Sequence, residues 1–387
     1  MRKKVLFVID SLRCGGAEKS LISLFPLLNQ EKYEIHLWML YRGGDFEKLL
    51  PSHVKIEESP SYSDFEQIRR KLHMAYYSVL FRFLNIIGKH QHSAETLWKC
   101  IGNTYKVPSE SYDVAVAYQQ GLPTYIVAQK IKTKKRIAWI NADIFSAGYD
   151  VDFNASFYDK MDAIVPVSQE LEVILNAKYP QYSNKYYCIY DILNPTMIKR
   201  QSLMSVGDMH GEGERKILVT TARLSAVKNH KLAIEAAKIL KERGFDFVWL
   251  FIGEGEERQH IEEFIQKYDL HEEVRLLGVR TNPYPYMASC DVYVQTSIFE
   301  GYGLTVAEAK ILERPVVSTN FDVVYGQIVH GENGLIAEMT AESVADNIIR
   351  LLEEPNLRNH IIANLRKEKN TTYITEEEKV ERLLDDN

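Results

Sequence analysis

Short, fully apolar runs alternate along this chain with segments whose apolar residues recur every three or four positions. Val5–Ile9, Ile35–Leu40, Val114–Tyr118, Ile137–Ile140 and Ile164–Val167 are rich in β-branched and aromatic residues, which predicts buried strands. Between the first two, Ala17, Leu21, Leu24, Phe25 and Leu28 share one face of a helix. After residue 215 the alternation restarts, with strands at Ile217–Thr221, Phe247–Ile252, Val274–Leu277, Val292–Gln295 and Val316–Ser318. Helices are predicted from about Asn229 to Arg243, from about Glu256 and from about Leu304. Such alternation implies parallel sheets with right-handed helical crossovers, an α/β class of fold.

The pattern lapses between Asn194-Pro195 and Lys216, where Gly207, Gly211 and Gly213 stand among polar residues. A domain boundary is expected there. The reading is one doubly wound domain over 1–195, a second over 196–370, and a tail over 371–387 whose charged segment Thr375–Leu384 is helical. Sheets of this kind bind ligands at the carboxyl ends of their strands, and two that face each other would hold a ligand in the cleft between them.

Glu66–Lys106 departs from the alternation. Arg69, Arg70, Lys71, Arg82, Lys89, Lys99 and Lys106 stand against only Glu66 and Glu95. Ile68, Leu72, Ala75, Tyr76, Val79, Phe83 and Ile86 recur at helical spacing, and Tyr77, Leu80, Phe81 and Ile87 broaden the apolar face. Two readings fit: a basic amphipathic helix lying on an anionic membrane, or a core helix with a solvated basic edge.

Composition narrows the function classes. The 387 residues are 45% hydrophobic and 26% charged, which fits globular domains and argues against a disordered or fibrous chain. The net charge of −6 disfavours a nucleic-acid binder. Cys14, Cys100, Cys188 and Cys290 lie far apart without metal-ligand spacing, a reduced intracellular pattern. The apolar run after Met1-Arg2-Lys3-Lys4 stops at Asp10, too short for a signal peptide, and no stretch is long enough to span a bilayer. A soluble cytoplasmic protein is expected.

The most specific chemistry lies in Ser297-Ile298-Phe299-Glu300-Gly301-Tyr302-Gly303-Leu304-Thr305-Val306-Ala307-Glu308. A strand runs through a two-glycine loop into a helix, whose exposed N–H groups favour an anion. Glu300 at the loop and Glu308 further up the helix suit different parts of one extended ligand. Arg223, just past a strand end, and Lys228, just before a helix, can grip phosphate as a planar fork and a point charge. Asp10-Ser11-Leu12-Arg13-Cys14-Gly15-Gly16-Ala17-Glu18 is a third strand–glycine–helix junction. It lacks G-x-G-x-x-G, and Gly253-Glu254-Gly255 is followed at position 258 by Arg258, so a nicotinamide enzyme is disfavoured.

These residues resemble the retaining glycosyltransferases of the GT-B fold, in the group of sugar-nucleotide transferases that build bacterial cell-surface polysaccharides. Glu300 and Glu308 match the family's Glu-x7-Glu signature. Arg223 and Lys228 match its Arg…Lys pair, with Ala222 in place of the usual glycine, and Gly15-Gly16-Ala17-Glu18 matches its first glycine-rich loop. Phe251–Gly255, Leu277-Gly278, Cys290–Val294 and Asp162–Ser168 add secondary matches. The resemblance implies two Rossmann-like domains facing each other across a cleft, the first for the acceptor and the second for a nucleotide-diphosphate sugar. It implies that Arg223 and Lys228 neutralise the diphosphate without a metal or other cofactor. Glu308 would hold the ribose, Glu300 the donor sugar, Gly15, Gly16 and the Gly301–Leu304 backbone sugar hydroxyls and phosphate, and the backbone near Val279 and Arg280 the base.

Many members carry a His where this chain has Asn141, so an acid or base role would pass to Asp143 as the nearest candidate on the acceptor side. Asp150-Val151-Asp152 spells the D-x-D that binds metal in the other transferase fold, but sits in an expected loop. The acceptor implied is a saccharide or a lipid-linked sugar at the inner membrane face. Other readings are a sugar-nucleotide epimerase or phosphorylase on the same architecture, or a non-catalytic sugar-nucleotide-binding subunit of a transferase pair.

Overall fold

The computed structural model describes residues 2–13, 15–58, 61–86, 92–206, 215–368 and 372–386. Cys14, Ile87, Lys89, Gly207, Gly211 and Gly213, and the side chain of Ile86, lie outside that description. The chain divides into two compact units, Met1–Ile192 with Ile374–Asn387, and Leu193–Tyr373.

The first unit is built on β1 (Lys3–Ile9), β2 (Tyr33–Met39), β3 (Lys55–Glu57), β4 (Ser111–Ala117), β5 (Lys132–Ile140) and β6 (Ala163–Pro166). They form one parallel sheet in the order β3-β2-β1-β4-β5-β6. Its crossovers carry α1 (Gly16–Leu24), α2 (Asp64–Ile86), α3 (Ser93–Ile101), α4 (Leu122–Gln129) and α5 (Val151–Tyr158), and α6 (Gln169–Lys178) follows the last strand. The fully buried run Val5–Ile9 is the centre of this sheet, with Val5 registered on Ile35 to one side and Val114 to the other.

The second unit repeats the plan. After α7 (Pro195–Ser202) come β7 (Lys216–Thr221), α8 (His230–Glu242), β8 (Phe247–Ile252), α9 (Arg258–Lys267) and β9 (Val274–Gly278). Then follow α10 (Tyr284–Ser289), β10 (Val292–Gln295), α11 (Leu304–Ile311), β11 (Val316–Thr319), β12 (Leu335–Ala337), α12 (Ala341–Glu353) and α13 (Pro355–Lys367). The parallel sheet runs β12-β11-β10-β7-β8-β9, the same order of connection as the first. In both sheets the winding reverses beside the first strand, between β1 and β4 and between β7 and β10. A crevice at the strand ends is expected at each of these points.

The strands β3 and β12 were not visible in the apolar pattern. Each has three residues at a sheet edge, and Lys55-Ile56-Glu57 is too exposed to leave an apolar run. Glu66–Lys106 contains two helices, α2 and α3. The core-helix reading does not hold for α2, because Phe65, Ile68, Leu72, Tyr76, Val79 and Phe83 are 56–74% exposed. Its other side faces α3, where His73 Nδ1 lies 2.8 Å from the Cys100 carbonyl. Part of its basic charge is used internally: Arg70 stacks over the Tyr62 and Tyr105 rings, and Lys106 pairs with Glu66 at 2.8 Å. Arg69, Lys71 and Arg82 are exposed. No helix among the described residues is long and apolar enough to cross a membrane.

The last helix, α14 (Thr372–Asp385), packs on the first unit and buries Val380, Leu383 and Leu384. Its terminal carbonyls, which lack partners within the helix, are met by two ammonium groups. Lys3 Nζ donates to Leu384 O at 2.8 Å, and Lys135 Nζ donates to Leu383 O at 2.7 Å and Asp386 O at 2.8 Å. Tyr33 adds a bond to the Asp385 carboxylate at 3.0 Å.

Candidate active site

In the second unit, the crevice between β7 and β10 collects the residues singled out in the sequence. The loop after β7 is strapped to the loop after β10, since Ile298 N–H donates to Val227 O at 2.8 Å and Thr296 Oγ1 to Lys228 O at 3.1 Å. That juxtaposition delivers Lys228 Nζ to 2.6 Å from both oxygens of Glu300. Gln295 Nε2 and Ser297 Oγ also donate to Glu300 Oε1, at 2.7 and 2.6 Å. Gln295 is held in turn by Tyr293 OH at 3.0 Å and Thr305 Oγ1 at 3.2 Å. Glu300 is therefore a fixed, largely buried carboxylate whose charge is balanced by one ammonium.

Gly303 caps α11 in the left-handed region at φ +84°, a conformation that glycine adopts without strain. Glu308 is fully buried one turn along α11 and accepts from Tyr284 OH at 2.8 Å. Arg223 is exposed and pairs with Glu256 at 3.0 Å. Glu256's own backbone N–H and the guanidinium hold that carboxyl below its usual range. His230 opens α8 fully buried, and burial together with Lys228 pushes its imidazole down to about 4. The ring is neutral at physiological pH and adds no charge beside Lys228.

Two glycines that resemble a nucleotide loop have another explanation. A Cβ on Gly253 would fall 1.9 Å from Ala222 O, and one on Gly255 2.2 Å from Leu224 O. This loop needs glycine to pass the backbone that leads into Arg223. Val279 is exposed, while Arg280 folds back, donating to Tyr286 OH at 3.1 Å and Leu277 O at 2.5 Å.

In the first unit the expectations change. The N-terminus of α1, where the sequence places a ligand anion beside Gly15 and Gly16, holds the carboxylate of Glu18. A Cβ on Gly15 would lie 2.2 Å from Glu18 Oε2. Glu18 also accepts from Gln119 at 3.3 Å, and burial raises its pKa. Burial, with Glu18 adding to it, pushes both Asp10 and Asp191 up to about 7. Three carboxyl groups thus gather beside the glycines of this crevice, and burial favours their neutral forms. Asn141 Nδ2 donates to Tyr118 O at 2.7 Å and its backbone N–H to Gln120 Oε1 at 3.1 Å, while its Oδ1 is buried without a protein partner. Asp143 is engaged locally. It caps its own turn, accepting from Phe145 N at 2.9 Å, Ser146 N at 3.2 Å and Ser146 Oγ at 2.5 Å. In the D-x-D, Asp150 is the N-cap of α5, accepting from Phe153 N at 2.7 Å. No three His, Cys, Asp or Glu side chains among the described residues converge as metal ligands would.

Sequence reasoning missed the polar groups that surround Glu300 and Glu308, namely Gln295, Ser297, Thr305 and Tyr284. The signal for Gln295 and Ser297 was a buried polar run, Gln295-Thr296-Ser297, that closes the strand Val292–Gln295 and follows it.

Residues 209–368 match the family described as glycosyl transferases group 1. Over 364 residues the chain is 26% identical to the N-acetylgalactosamine-N,N'-diacetylbacillosaminyl-diphospho-undecaprenol 4-alpha-N-acetylgalactosaminyltransferase of Campylobacter jejuni, covering 92% of each. It is 31% identical over 165 residues to the poly(ribitol-phosphate) alpha-N-acetylglucosaminyltransferase of Staphylococcus aureus, a match covering 42% of this chain and 33% of that one. Among solved structures, Anabaena HepE in complex with UDP and glucose superposes with a TM-score of 0.73 at 17% identity, over 99% of both chains. WaaG, a glycosyltransferase involved in lipopolysaccharide biosynthesis, gives 0.65 at 14% identity, over 99% of this chain and 100% of its own. At such identities the structural likeness is one of fold.

Proposed function

We propose that this chain, a group 1 glycosyltransferase of the GT-B fold, transfers a sugar from a nucleotide diphosphate to a saccharide or lipid-linked acceptor, with retention of configuration and without a metal. The observation that carries this reading is the Lys228–Glu300 pair at the head of the Gly303-capped helix. A fixed cation beside helix N–H groups suits the charge that develops on a leaving diphosphate. Arg223, exposed and paired with Glu256, supplies a second cation. Glu300 is assigned to the donor sugar, and Glu308, oriented by Tyr284, to the ribose hydroxyls.

In the reaction, the acceptor oxygen bonds to the anomeric carbon on the face the diphosphate leaves. The carbon–oxygen bond to phosphate breaks, and the departing phosphate oxygen takes the acceptor's proton. No separate protein base is required, so a chain with an amide at Asn141 can still carry out the transfer. The acceptor oxygens of Asp10, Glu18 and Asp191 suit a hydroxyl-rich acceptor in the first unit.

The test is acceptor-free hydrolysis of a panel of UDP-, GDP- and ADP-sugars, with the product anomer read by NMR. One donor class should turn over in excess EDTA within about twofold of its rate without it, releasing the retained anomer, and Glu300→Ala should abolish the signal. Complete inhibition by chelator, or an inverted product, would overturn the reading.

The acceptor is placed at the cytoplasmic face of an anionic membrane, a reading supported by the solvent-facing apolar stripe of α2 flanked by Arg69, Lys71 and Arg82. The Campylobacter relative is named for an acceptor on diphospho-undecaprenol. The Leu72→Asp/Phe83→Asp double variant should lower co-sedimentation with phosphatidylglycerol vesicles by roughly tenfold or more, with hydrolysis of soluble donor unchanged. Equal sedimentation of variant and parent would refute the membrane contact.

A further inference from the structure

We propose that Gln327 is a positioning residue for the donor loop, a role that rests on the donor-site reading above. Gln327 follows the short turn Asp322–Gly326, and its side chain is more than nine-tenths buried. Its Nε2 donates to the Tyr302 carbonyl and stands 3.3 Å from where a Cβ on Gly303 would be. The amide is thus wedged against the two peptides that lead into α11.

A trans peptide points its C=O and the following N–H in opposite directions. Anchoring the Tyr302 carbonyl on Gln327 therefore turns the Gly303 N–H the other way, outward from the segment that carries Gln327. That N–H opens the N-terminus of α11, where the donor's phosphate or sugar oxygens are placed. The left-handed Gly303 lacks a side chain to resist rotation of this peptide, so its direction must be set from outside.

The anchor is itself bolted down. The Gln327 carbonyl accepts from Lys310 Nζ at 2.5 Å and from Asn333 Nδ2 at 3.3 Å. Lys310 belongs to α11 and pairs with Glu368 at 3.1 Å, and Asn333 donates to the same carboxylate at 2.5 Å. One residue thus ties both the loop before α11 and the helix itself to a single segment. The amide's Oε1 is buried without a protein partner, so Nε2 is the half of the side chain that holds the structure.

The experiment compares Gln327→Ala and Gln327→Glu with the parent in acceptor-free hydrolysis of the turned-over donor, from about pH 5.5 to pH 8.5. Near pH 8 both variants should raise the donor KM roughly tenfold or more, with kcat within about threefold, because a pre-set binding direction is lost. Gln327→Glu keeps the shape but sets a carboxylate against a carbonyl. Its protonated form can donate again, so kcat/KM relative to the parent should climb about fivefold or more as pH falls, while the Gln327→Ala ratio stays flat. A mere packing role would not produce that divergence. A Gln327→Ala KM within about twofold of the parent, or a pH-independent Gln327→Glu ratio, overturns the role of Gln327 alone. A parent that hydrolyses none of the UDP-, GDP- or ADP-sugars defeats the donor-site reading, and this proposal falls with it.

Discussion

Lys228→Ala is expected to lower kcat/KM for the donor by about 10²–10³-fold, the loss usual when one preorganised charge is removed from a developing anion. Lys228 touches both Glu300 oxygens at 2.6 Å, so truncation has a second effect. Glu300 is left with the neutral donors Gln295 and Ser297, and a buried carboxylate without a counter-charge is costly. The two losses share one interaction, so Lys228→Ala and Glu300→Gln together should cost clearly less than the product of the single effects. Steady-state donor hydrolysis by the parent, both single variants and the double gives the full cycle. A loss below about threefold for Lys228→Ala, or strictly multiplicative effects, would show that the pair does not act as a unit.

Ending the chain before α14 is expected to unfold the first unit at much lower temperature while sparing the second. Val380, Leu383 and Leu384 are buried by this helix, at about 1.5–3 kcal/mol each. With about 2–4 °C per kcal/mol for a unit of this size, the fall should be roughly 10 °C or more. Lys3 and Lys135 would also lose the carbonyls they cap. Hydrogen exchange over β1 and β5, compared with β7 and β8, separates the units where a single melting curve would not. Equal protection of β1 with and without the helix would refute the expectation.

What could be read in advance follows from where the signal resides. Val5–Ile9 and Phe247–Ile252 are buried on both faces, so their sequences are apolar throughout and unmistakable as central strands. Lys55–Glu57 lies at an edge and carries no such mark. Helical spacing in α2 identifies an apolar stripe but not what it faces, and here it faces solvent. Glu300 and Lys228 were legible because strand ends and glycine loops localise them. Gln327 was not, since its contact with Tyr302 joins residues far apart in sequence and depends on two loops meeting. The turn at Asp143 was legible locally, since an Asp followed closely by Ser146 is a turn signal.

The crossing back of α14 carries a consequence for how the protein is made. A ribosome releases β1 through β6 long before it releases Val380, Leu383 and Leu384, which follow the whole second unit in the sequence. The earlier-born half must wait, with an apolar surface uncovered, while the later-born half is translated and can fold ahead of it. Nascent chains stalled short of residue 372 should therefore draw chaperones to the half that was synthesised first.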